Sequence, residues 1–598
     1  MSPKKKKSKK IIAAKTQVAV ENPVYNYILL GMFAVFIILL TTFQISGDDD
    51  VFWHLATGRY IVENGTVPSI DVFGYVTEGQ EWMPFEWGWD VITYGLYNVG
   101  GYEAISVFRT IIFLLTFGIL FIVMQRFKVS FNVSLLILGL MAFGTIDRLT
   151  PRPHIISYLF FALLVFIITD FKYIRRNHKV LYFLPLIFLI WANVHMGILA
   201  GMFFLGIYVI SELIVYSRKG VPSKDFPPLS KPELYRLLLI VVACVLVMLI
   251  NPNSFQTYVY AYEHTQMKLL ETINEWRSPF NEMFTGSFVT IIYKIFLFSG
   301  IFILYYAVKR KDIFIGILVI AFAIYSVRAV RLTVDYIIFM SAFLAVAIDY
   351  ILVNLKSQGI KNFLLKGPII KAVYAIFLLY FIFRLPDSTL YLENLKYYRI
   401  SGMGINADFI PVQMFDFMKE NNIPEKGEKV LNHFGTGGYL IWNFPDEKNF
   451  IDSRNLNDSI YYEYANIMGM APGFDQKIQN YGVDYFIYLA PDLVRIPQEM
   501  QNTPISYFSQ NDEWKLVFWD DKSFLFVKNT PQFADVISKY EYKYVTPYNF
   551  VYNNAKLQQG LESDKDRFKK EYERKLFEEP NGLIINNFKS QFGQIMAQ

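Results

Sequence analysis

Apolar runs long enough to cross a lipid bilayer recur through the first two thirds of the chain. A hydrocarbon core about 30 Å thick requires roughly 20 residues of α-helix. Charged residues make up 18% of the chain, below the roughly 25% of soluble domains. We therefore predict a polytopic α-helical membrane protein with eleven transmembrane helices. The predicted spans lie at about 27–46, 103–124, 130–146, 155–171, 181–195, 197–216, 236–251, 288–308, 312–327, 333–354 and 368–384.

Basic residues mark alternate loops between the predicted spans. The segment "SPKKKKSKK" precedes the first span, and every second loop after it is basic, from "QRFK" to "LKSQGIKNFLLK". Basic loops favour the cytoplasm, so we predict a cytoplasmic N-terminus and a C-terminal part on the outer face. In a bacterial cytoplasmic (inner) membrane, that face is the periplasm. The single cysteine, Cys244, lies within a span, which excludes a disulfide framework and a cysteine-based metal site.

The pattern divides the chain into parts with different surroundings. Residues 1–26 are basic and cytoplasmic, and 27–385 form the transmembrane part. Its long outer loop, 47–102, is rich in Trp and Tyr, which prefer the membrane interface, and predicts two helices along the outer surface. Residues 386–530 predict an extracytoplasmic α/β domain. Residues 531–598 predict a charged helical tail.

Within the C-terminal domain, strands are predicted from "KVLNHF", "KNFIDSR", "VDYFIYL" and the hairpin "WKLVFWDDKSFLFVKN". The segments "GTGGYLIWN" and "SIYYEYANIMGM" predict helices between them. The glycines of "GTGG" favour a tight turn from strand to helix, and a phosphate at that helix N-terminus is the alternative.

Three consecutive carboxylates, Asp48, Asp49 and Asp50, follow the first predicted span. Like charges repel, and charge near a bilayer is costly, so the cluster points to chemistry at the outer face. Asp48 is also readily explained as a solvated helix terminator. Hard oxygen ligands suit Mg²⁺ or Mn²⁺, and a metal ion at Asp49 and Asp50 is an open alternative.

Arginines also gather in the predicted outer loops, where the positive-inside rule disfavours them. "DRLTPRPH" contains Arg148 and Arg152, and "RAVRLTVD" contains Arg328 and Arg331. A guanidinium group matches phosphate oxygens two at a time. We predict that these four arginines bind a phosphate; pairing with neighbouring aspartates or lipid headgroups is the alternative.

Further polar residues of the outer segments are predicted to orient substrate groups. For His54, packing beneath the interfacial helix is the alternative. For His195, the alternative is a hydrogen bond to a backbone carbonyl. These residues are His54, Asp71, Glu86, His195 and Glu275.

Several of these segments together resemble a known group of membrane enzymes. "DDDVFWHLATGRYIVENGTVPSID" followed by "WMPFEW" is similar to the N-terminal signature of bacterial GT-C glycosyltransferases. That group includes the dolichyl-phosphate-mannose-protein mannosyltransferases and the aminoarabinose lipid A transferases. "RPHIISYLF", "WANVHMG", "NPNS", "EWRSP" and "GGYLIW…FIDSR" look like the same bacterial subfamily. The resemblance covers about residues 45–530.

The resemblance implies an inverting glycosyltransferase that moves a sugar from a polyprenyl-phosphate carrier to an acceptor at the outer face. Such a reaction needs a carboxylate base for the acceptor hydroxyl and cations for the departing phosphate. We expect Asp49 to be the base, with Asp48 and Asp50 supporting it. The four arginines are expected to hold the donor phosphate, and the acceptor is a glycan, a lipid or a protein.

Two other function classes stay open at this point. A non-catalytic scaffold subunit of a larger membrane complex would keep the same fold without needing a base. A polyprenyl-lipid transporter or flippase would place polar residues deep in several spans, whereas here they cluster at the outer ends. No nucleic-acid partner is expected, and a protein partner would bind through the C-terminal domain or the tail.

Overall fold

The computed structural model describes residues 23–46, 50–217, 228–397, 399–454, 457–489 and 503–596. Long helices dominate the first two thirds, and a helix lies at each predicted apolar run. These helices are α1 (Pro23–Thr41), α2 (Asp50–Asn64), α3 (Trp87–Arg126), α4 (Phe131–Gly144), α5 (His154–Thr169), α6 (Leu184–Trp191), α7 (Ile198–Ser217), α8 (Lys231–Met248), α9 (Gln256–His264), α10 (Phe288–Arg310), α11 (Ile313–Ser326), α12 (Thr333–Val353), α13 (Gln358–Lys366) and α14 (Pro368–Arg384).

Within the described residues, seven helical segments are long and apolar enough to cross a membrane, and three shorter apolar helices accompany them. Exposed apolar side chains such as Ile295, Phe298 and Ile301 on α10 suit contact with lipid. The predicted polytopic helical class is confirmed, and the exact number of spans stays a prediction. The seven segments are Val24–Thr41, Trp87–Arg126, His154–Arg175, Ile198–Ser217, Phe288–Arg310, Val330–Val353 and Gln358–Arg384.

Helix α12 lies at the centre of the helical bundle. Every residue from Thr333 to Ala347 is buried, and the helix contacts α4, α5 and α10. The ring of Phe339 stacks on Phe204 of α7, with centroids 4.8 Å apart. A helix that is buried all round has neighbours on every side, so α12 holds Asp335 in its first turn at a defined position.

The long loop after α1 contains the two predicted helices, and the second continues into a predicted span. Gly100 and Gly101 interrupt α3 with non-helical backbone angles. Gly101 has φ of 63° and ψ of −155°, a conformation that is costly for any residue with a Cβ atom. The break lets residues 87–99 run in a different direction from the apolar segment 102–126.

The C-terminal part combines short helices with one sheet. Its strands are β1 (Val430–Asn432), β2 (Tyr485–Leu489), β3 (Trp514–Trp519) and β4 (Ser523–Lys528). The sheet order is β1-β2-β4-β3, with β1 parallel to β2 and the other pairs antiparallel. Its helices are α15 (Val412–Glu420), α16 (Ile423–Lys426), α17 (Gly437–Asn443), α18 (Asp458–Met468), α19 (Phe474–Tyr481), α20 (Pro504–Gln510), α21 (Ala534–Tyr540), α22 (Pro547–Tyr552), α23 (Asn554–Ser563), α24 (Lys565–Glu578) and α25 (Leu583–Met596).

One predicted strand is wrong: "KNFIDSR" at 448–454 is an irregular segment. In a strand, these backbone groups would bond a neighbouring strand. Here the Asn432 side chain bonds the Phe450 amide at 2.8 Å and the Ile451 carbonyl at 2.8 Å instead. The "GTGG" turn leads directly into α17. A Cβ atom at Gly437 would lie 2.1 Å from the Ile451 carbonyl oxygen, so close backbone packing explains this glycine.

The C-terminal part packs against the loop that follows α1. Arg59 of α2 donates hydrogen bonds to the carbonyls of Ile441 (2.9 Å) and Trp442 (3.0 Å) at the end of α17. The Asn449 amide bonds the Phe73 carbonyl at 2.8 Å. These contacts place the C-terminal part and the loop on the same side of the helical bundle.

Candidate functional site

A cavity of about 540 Å³ lies among α5, α7, α11 and α12. Its volume is in the range of about 300–1,000 Å³ typical of ligand sites. Its apolar wall includes Leu199, Phe203 and Ile324, whose side chains are exposed. The cavity is open rather than fully enclosed. Its polar residues include Arg148, His154, His195, Arg328, Arg331 and Asp335.

Two of the predicted arginines that line the cavity share one carboxylate. Glu275 lies 2.5 Å from Arg148 Nη1 and 3.6 Å from Arg331 Nη1. Burial opposes ionisation of Glu275, yet Arg148 and Arg331 lower its pKa to about 2. The Arg148 Nε atom is buried without a hydrogen-bond partner among the described residues. Arg328 also lines the cavity, so three of the four predicted arginines lie around it.

The fourth predicted arginine pairs with the last of the three predicted carboxylates, Asp50. Arg152 Nη1 is 2.7 Å from Asp50 Oδ2. The other oxygen of Asp50 accepts hydrogen bonds from Ser453 Oγ at 2.5 Å and Trp53 Nε1 at 3.2 Å. These donors stabilise the charged form of Asp50, and Ser453 brings the C-terminal domain into direct contact with Asp50. Asp48 and Asp49, the other two predicted carboxylates, lie outside the described residues.

Glu86, predicted to orient substrate, lies between two of the predicted histidines. Its carboxylate oxygens are 3.9 Å from His54 Nε2 and 3.7 Å from His195 Nε2. The opposite ring nitrogen of His54 is 2.5 Å from Asp90 Oδ1. Burial raises the pKa of Glu86 to about 8 and lowers that of His54 well below its ordinary value. The four groups form a buried polar cluster next to the arginines.

Asp71 lies apart from this cluster, in a buried ion pair. Arg454 Nη1 is 2.7 Å from Asp71 Oδ1, and Arg454 Nη2 is 2.6 Å from Asp452 Oδ2. Asp71 also accepts bonds from the amides of Phe73 (3.0 Å) and Gly74 (3.1 Å). This arrangement joins the loop to the C-terminal domain.

The ion-pair partner of Arg148 and Arg331 is not one of the aspartates close to them in the sequence. Arg148 and Arg331 pair with Glu275, and Asp335 instead accepts a hydrogen bond from a tyrosine of α11 at 2.9 Å. Sequence reasoning missed Asp90 and Ser453. The i, i+4 spacing of Asp90 from Glu86 on one helix face is a signal for the first, whereas the contact of Ser453 with Asp50 crosses 403 positions and has no local signal.

A predicted metal site was tested on the residues present. In the part of the chain that is described, no group of three or more His, Cys, Asp and Glu residues is arranged to hold a metal ion. Both oxygens of Asp50 already accept from protein donors. A Mg²⁺ or Mn²⁺ ion at Asp49 and Asp50 stays a prediction, because Asp49 lies outside the described residues.

Comparison with known proteins gives a result at the level of structure. No protein-family profile and no curated protein sequence matches the chain. The chain is similar to the archaeal oligosaccharyltransferase AglB from Archaeoglobus fulgidus in complex with an inhibitory peptide and a dolichol-phosphate. The TM-score is 0.53 at 10% identity, covering 82% of this chain and 73% of that one.

Two further structures are similar at lower scores. The apo form of the Archaeoglobus fulgidus oligosaccharyltransferase gives a TM-score of 0.49 at 11% identity, covering 85% of this chain and 75% of that one. ArnT from Cupriavidus metallidurans bound to undecaprenyl phosphate gives 0.47 at 12% identity, covering 85% and 99%. The likeness to AglB is one of fold: the chain shares the fold of that archaeal oligosaccharyltransferase over most of its length.

Proposed function

We propose that this protein is an integral membrane glycosyltransferase that moves a sugar from a polyprenyl-phosphate carrier to an acceptor. The observation that carries the proposal is the cavity, whose lining combines an apolar wall with Arg148, Arg328 and Arg331. A polyprenyl phosphate has the same two parts, an apolar chain and an anionic head. An open cavity with exposed apolar lining residues suits a lipid that enters from the bilayer.

The carboxylates have separate roles in this proposal. Asp50 is held by Arg152, Ser453 and Trp53, and a carboxylate that accepts several bonds is a weaker base. We therefore assign Asp50 to positioning and keep Asp49 as the base that removes the proton of the acceptor hydroxyl. Negative charge at this cluster also stabilises the oxocarbenium character that develops at the sugar.

The arginines act on the departing phosphate. As the sugar–phosphate bond breaks, charge develops on the phosphate oxygens, and pre-positioned cations stabilise it without reorganisation. Arg148 and Arg331 are already held in place by Glu275, and Arg331 also lies over the Trp276 ring at 4.3 Å. The proposal places this reaction at the periplasmic face of a bacterial inner membrane, with a glycan, lipid or protein as acceptor.

The first test is binding of undecaprenyl phosphate to the full-length protein in nanodiscs. Arg331→Ala removes a charge-assisted bond worth about 1.5–3 kcal/mol, so we expect affinity to fall about 10- to 100-fold. Arg384→Ala is the matched control, because Arg384 ends α14 and does not line the cavity. Two results would contradict a phosphate site here. One is equal affinity of the two variants for undecaprenyl phosphate, and the other is a wild-type protein that binds undecaprenol as tightly as undecaprenyl phosphate.

The second test separates the carboxylates by sugar transfer. An amide cannot accept the acceptor's proton, and the loss of a general base typically costs about 10²–10⁴ in rate. We expect Asp49→Asn to show that loss with unchanged thermal stability, and Asp50→Asn to lose both rate and stability. Full transfer by both variants would contradict a catalytic role for these carboxylates, and no transfer by the wild-type protein would favour the non-catalytic scaffold.

A further inference from the structure

The ring of His195 is fixed from one side by three elements of the bundle. His195 follows α6, and its Nδ1 atom accepts a hydrogen bond from the Gly197 amide at 3.0 Å. Ser157 Oγ of α5 lies 2.7 Å from the same Nδ1 atom. Trp191 Nε1, on a fully buried side chain, donates to Ser157 Oγ at 2.7 Å. The Nδ1 side of the imidazole is thus fully occupied.

The direction of these bonds determines which ring nitrogen carries the proton. A backbone N–H and an indole N–H only donate. Nδ1 must therefore accept from Gly197, and Ser157 Oγ accepts from Trp191 and directs its own proton toward Nδ1. Because a neutral imidazole has one protonated nitrogen, the proton of His195 lies on Nε2.

The backbone is built closely around this arrangement. A Cβ atom at position 197 would lie 2.3 Å from Ser157 Oγ and 2.7 Å from His195 Nδ1. Contacts this short do not occur, so only glycine lets the amide approach Nδ1 while Ser157 stays in place. Gly197 thus supports the tautomer through its size as well as its N–H group.

His195 lines the cavity, and its Nε2 atom lies among several charged groups. Glu86 Oε1 is 3.7 Å from Nε2, beyond hydrogen-bond distance, and the described residues give Nε2 no hydrogen bond. The other titratable groups facing it are Arg148, Arg331, His54 and His154. Burial, reinforced by the two arginines, lowers the pKa of His195 to about 3. The surroundings therefore disfavour an imidazolium ion.

We infer that His195 is held as a neutral Nε2–H imidazole and donates a hydrogen bond to a phosphate oxygen of the bound ligand. This inference rests on the proposed function, because it takes the ligand to be a polyprenyl phosphate. His195 adds a directed donor beside the arginines without adding charge. It cannot serve as the general base, because one nitrogen is already protonated and the lone pair of the other is occupied.

The tautomer can be observed without any activity. Protein labelled with ¹⁵N-histidine is reconstituted, and the His195 signals are assigned by their loss in His195→Gln. We expect a protonated Nε2 and an unprotonated Nδ1 throughout pH 5–8, and Gly197→Ala should lose this uniform pattern. A protonated Nδ1, or an imidazolium signal within that range, would overturn the inference.

The donor role is tested by undecaprenyl phosphate binding to two variants. The side-chain amide of Gln reaches the position of Nε2, whereas that of Asn is too short. We expect His195→Gln to bind within about threefold of wild type and His195→Asn to bind about tenfold more weakly, as for one hydrogen bond to a charged group.

The outcomes separate this inference from the proposed function. Equal, wild-type affinity of both variants would overturn the donor role while the proposed function stands. Failure of the wild-type protein itself to bind undecaprenyl phosphate would overturn the proposed function and the phosphate as the ligand of His195. The spectroscopic result on the tautomer is independent of both.

Discussion

Replacing Arg454 with methionine should open the junction between the C-terminal domain and the loop after α1. The Arg454 side chain is 2% exposed, and its partners Asp71 and Asp452 are 0% and 2% exposed. Removing one partner of a buried ion pair leaves uncompensated charge and costs about 3–5 kcal/mol. Here two carboxylates lose their partner, so we expect the upper part of that range.

Hydrogen exchange measures this change where it occurs. The amides of Phe73 and Gly74 bond Asp71, so their exchange reports local opening of the junction. A loss of about 3–5 kcal/mol corresponds to exchange roughly 10²–10⁴ times faster. The matched control is Lys448→Met, which removes an exposed ion pair to Glu78 across the same junction and should leave the exchange of these amides close to that of wild type.

The pH dependence gives a second check of the same reasoning. Despite burial, the Arg454 guanidinium lowers the pKa of Asp452. The ionised carboxylate therefore contributes stability above its unfolded pKa of about 3.9, which is lost as pH falls through the lower folded value. In Arg454→Met the buried Asp452 carboxylate loses this cation and favours protonation, so the difference from wild type should shrink toward acid pH. Exchange equal to that of the Lys448→Met control at neutral pH would refute the argument.

Two further perturbations test other parts of the structure. Glu275→Gln should destabilise the protein by about 1–2 kcal/mol at pH 7, and thermal unfolding should show the difference falling by more than half at pH 3. The reason is that the pKa of Glu275 is lowered to about 2 in the folded protein. The ionised carboxylate therefore stabilises the fold fully only above the ordinary pKa of a glutamate, and this stabilisation is lost as the pH falls toward the folded value. Gly101→Ala should cost about 1–3 kcal/mol because φ is 63° there, whereas Gly118→Ala, with nothing within 4 Å of the added Cβ, should stabilise or leave the melting temperature unchanged.

The sequence by itself determined the class of the protein and the general composition of its candidate site. A bilayer imposes a length and a polarity on each segment that crosses it, so a helix lies at every apolar run that was predicted. The same constraint makes arginines in outer loops unusual, and Arg148, Arg328 and Arg331 do lie together around one cavity. These properties are local, because each depends on a segment and its solvent.

Only the tertiary structure decided which groups are partners. Arg454 meets Asp71 across 383 positions, and Ser453 meets Asp50 across 403; nothing in either segment specifies the other. The segment "KNFIDSR" has the composition of a strand, yet Asn432 bonds its Phe450 amide and Ile451 carbonyl, and the irregular segment positions Ser453 and Arg454 against the loop. The tautomer of His195 depends on donors from two helices and a turn. Hydrogen-bond direction and burial arise from packing, and residue type alone does not fix them.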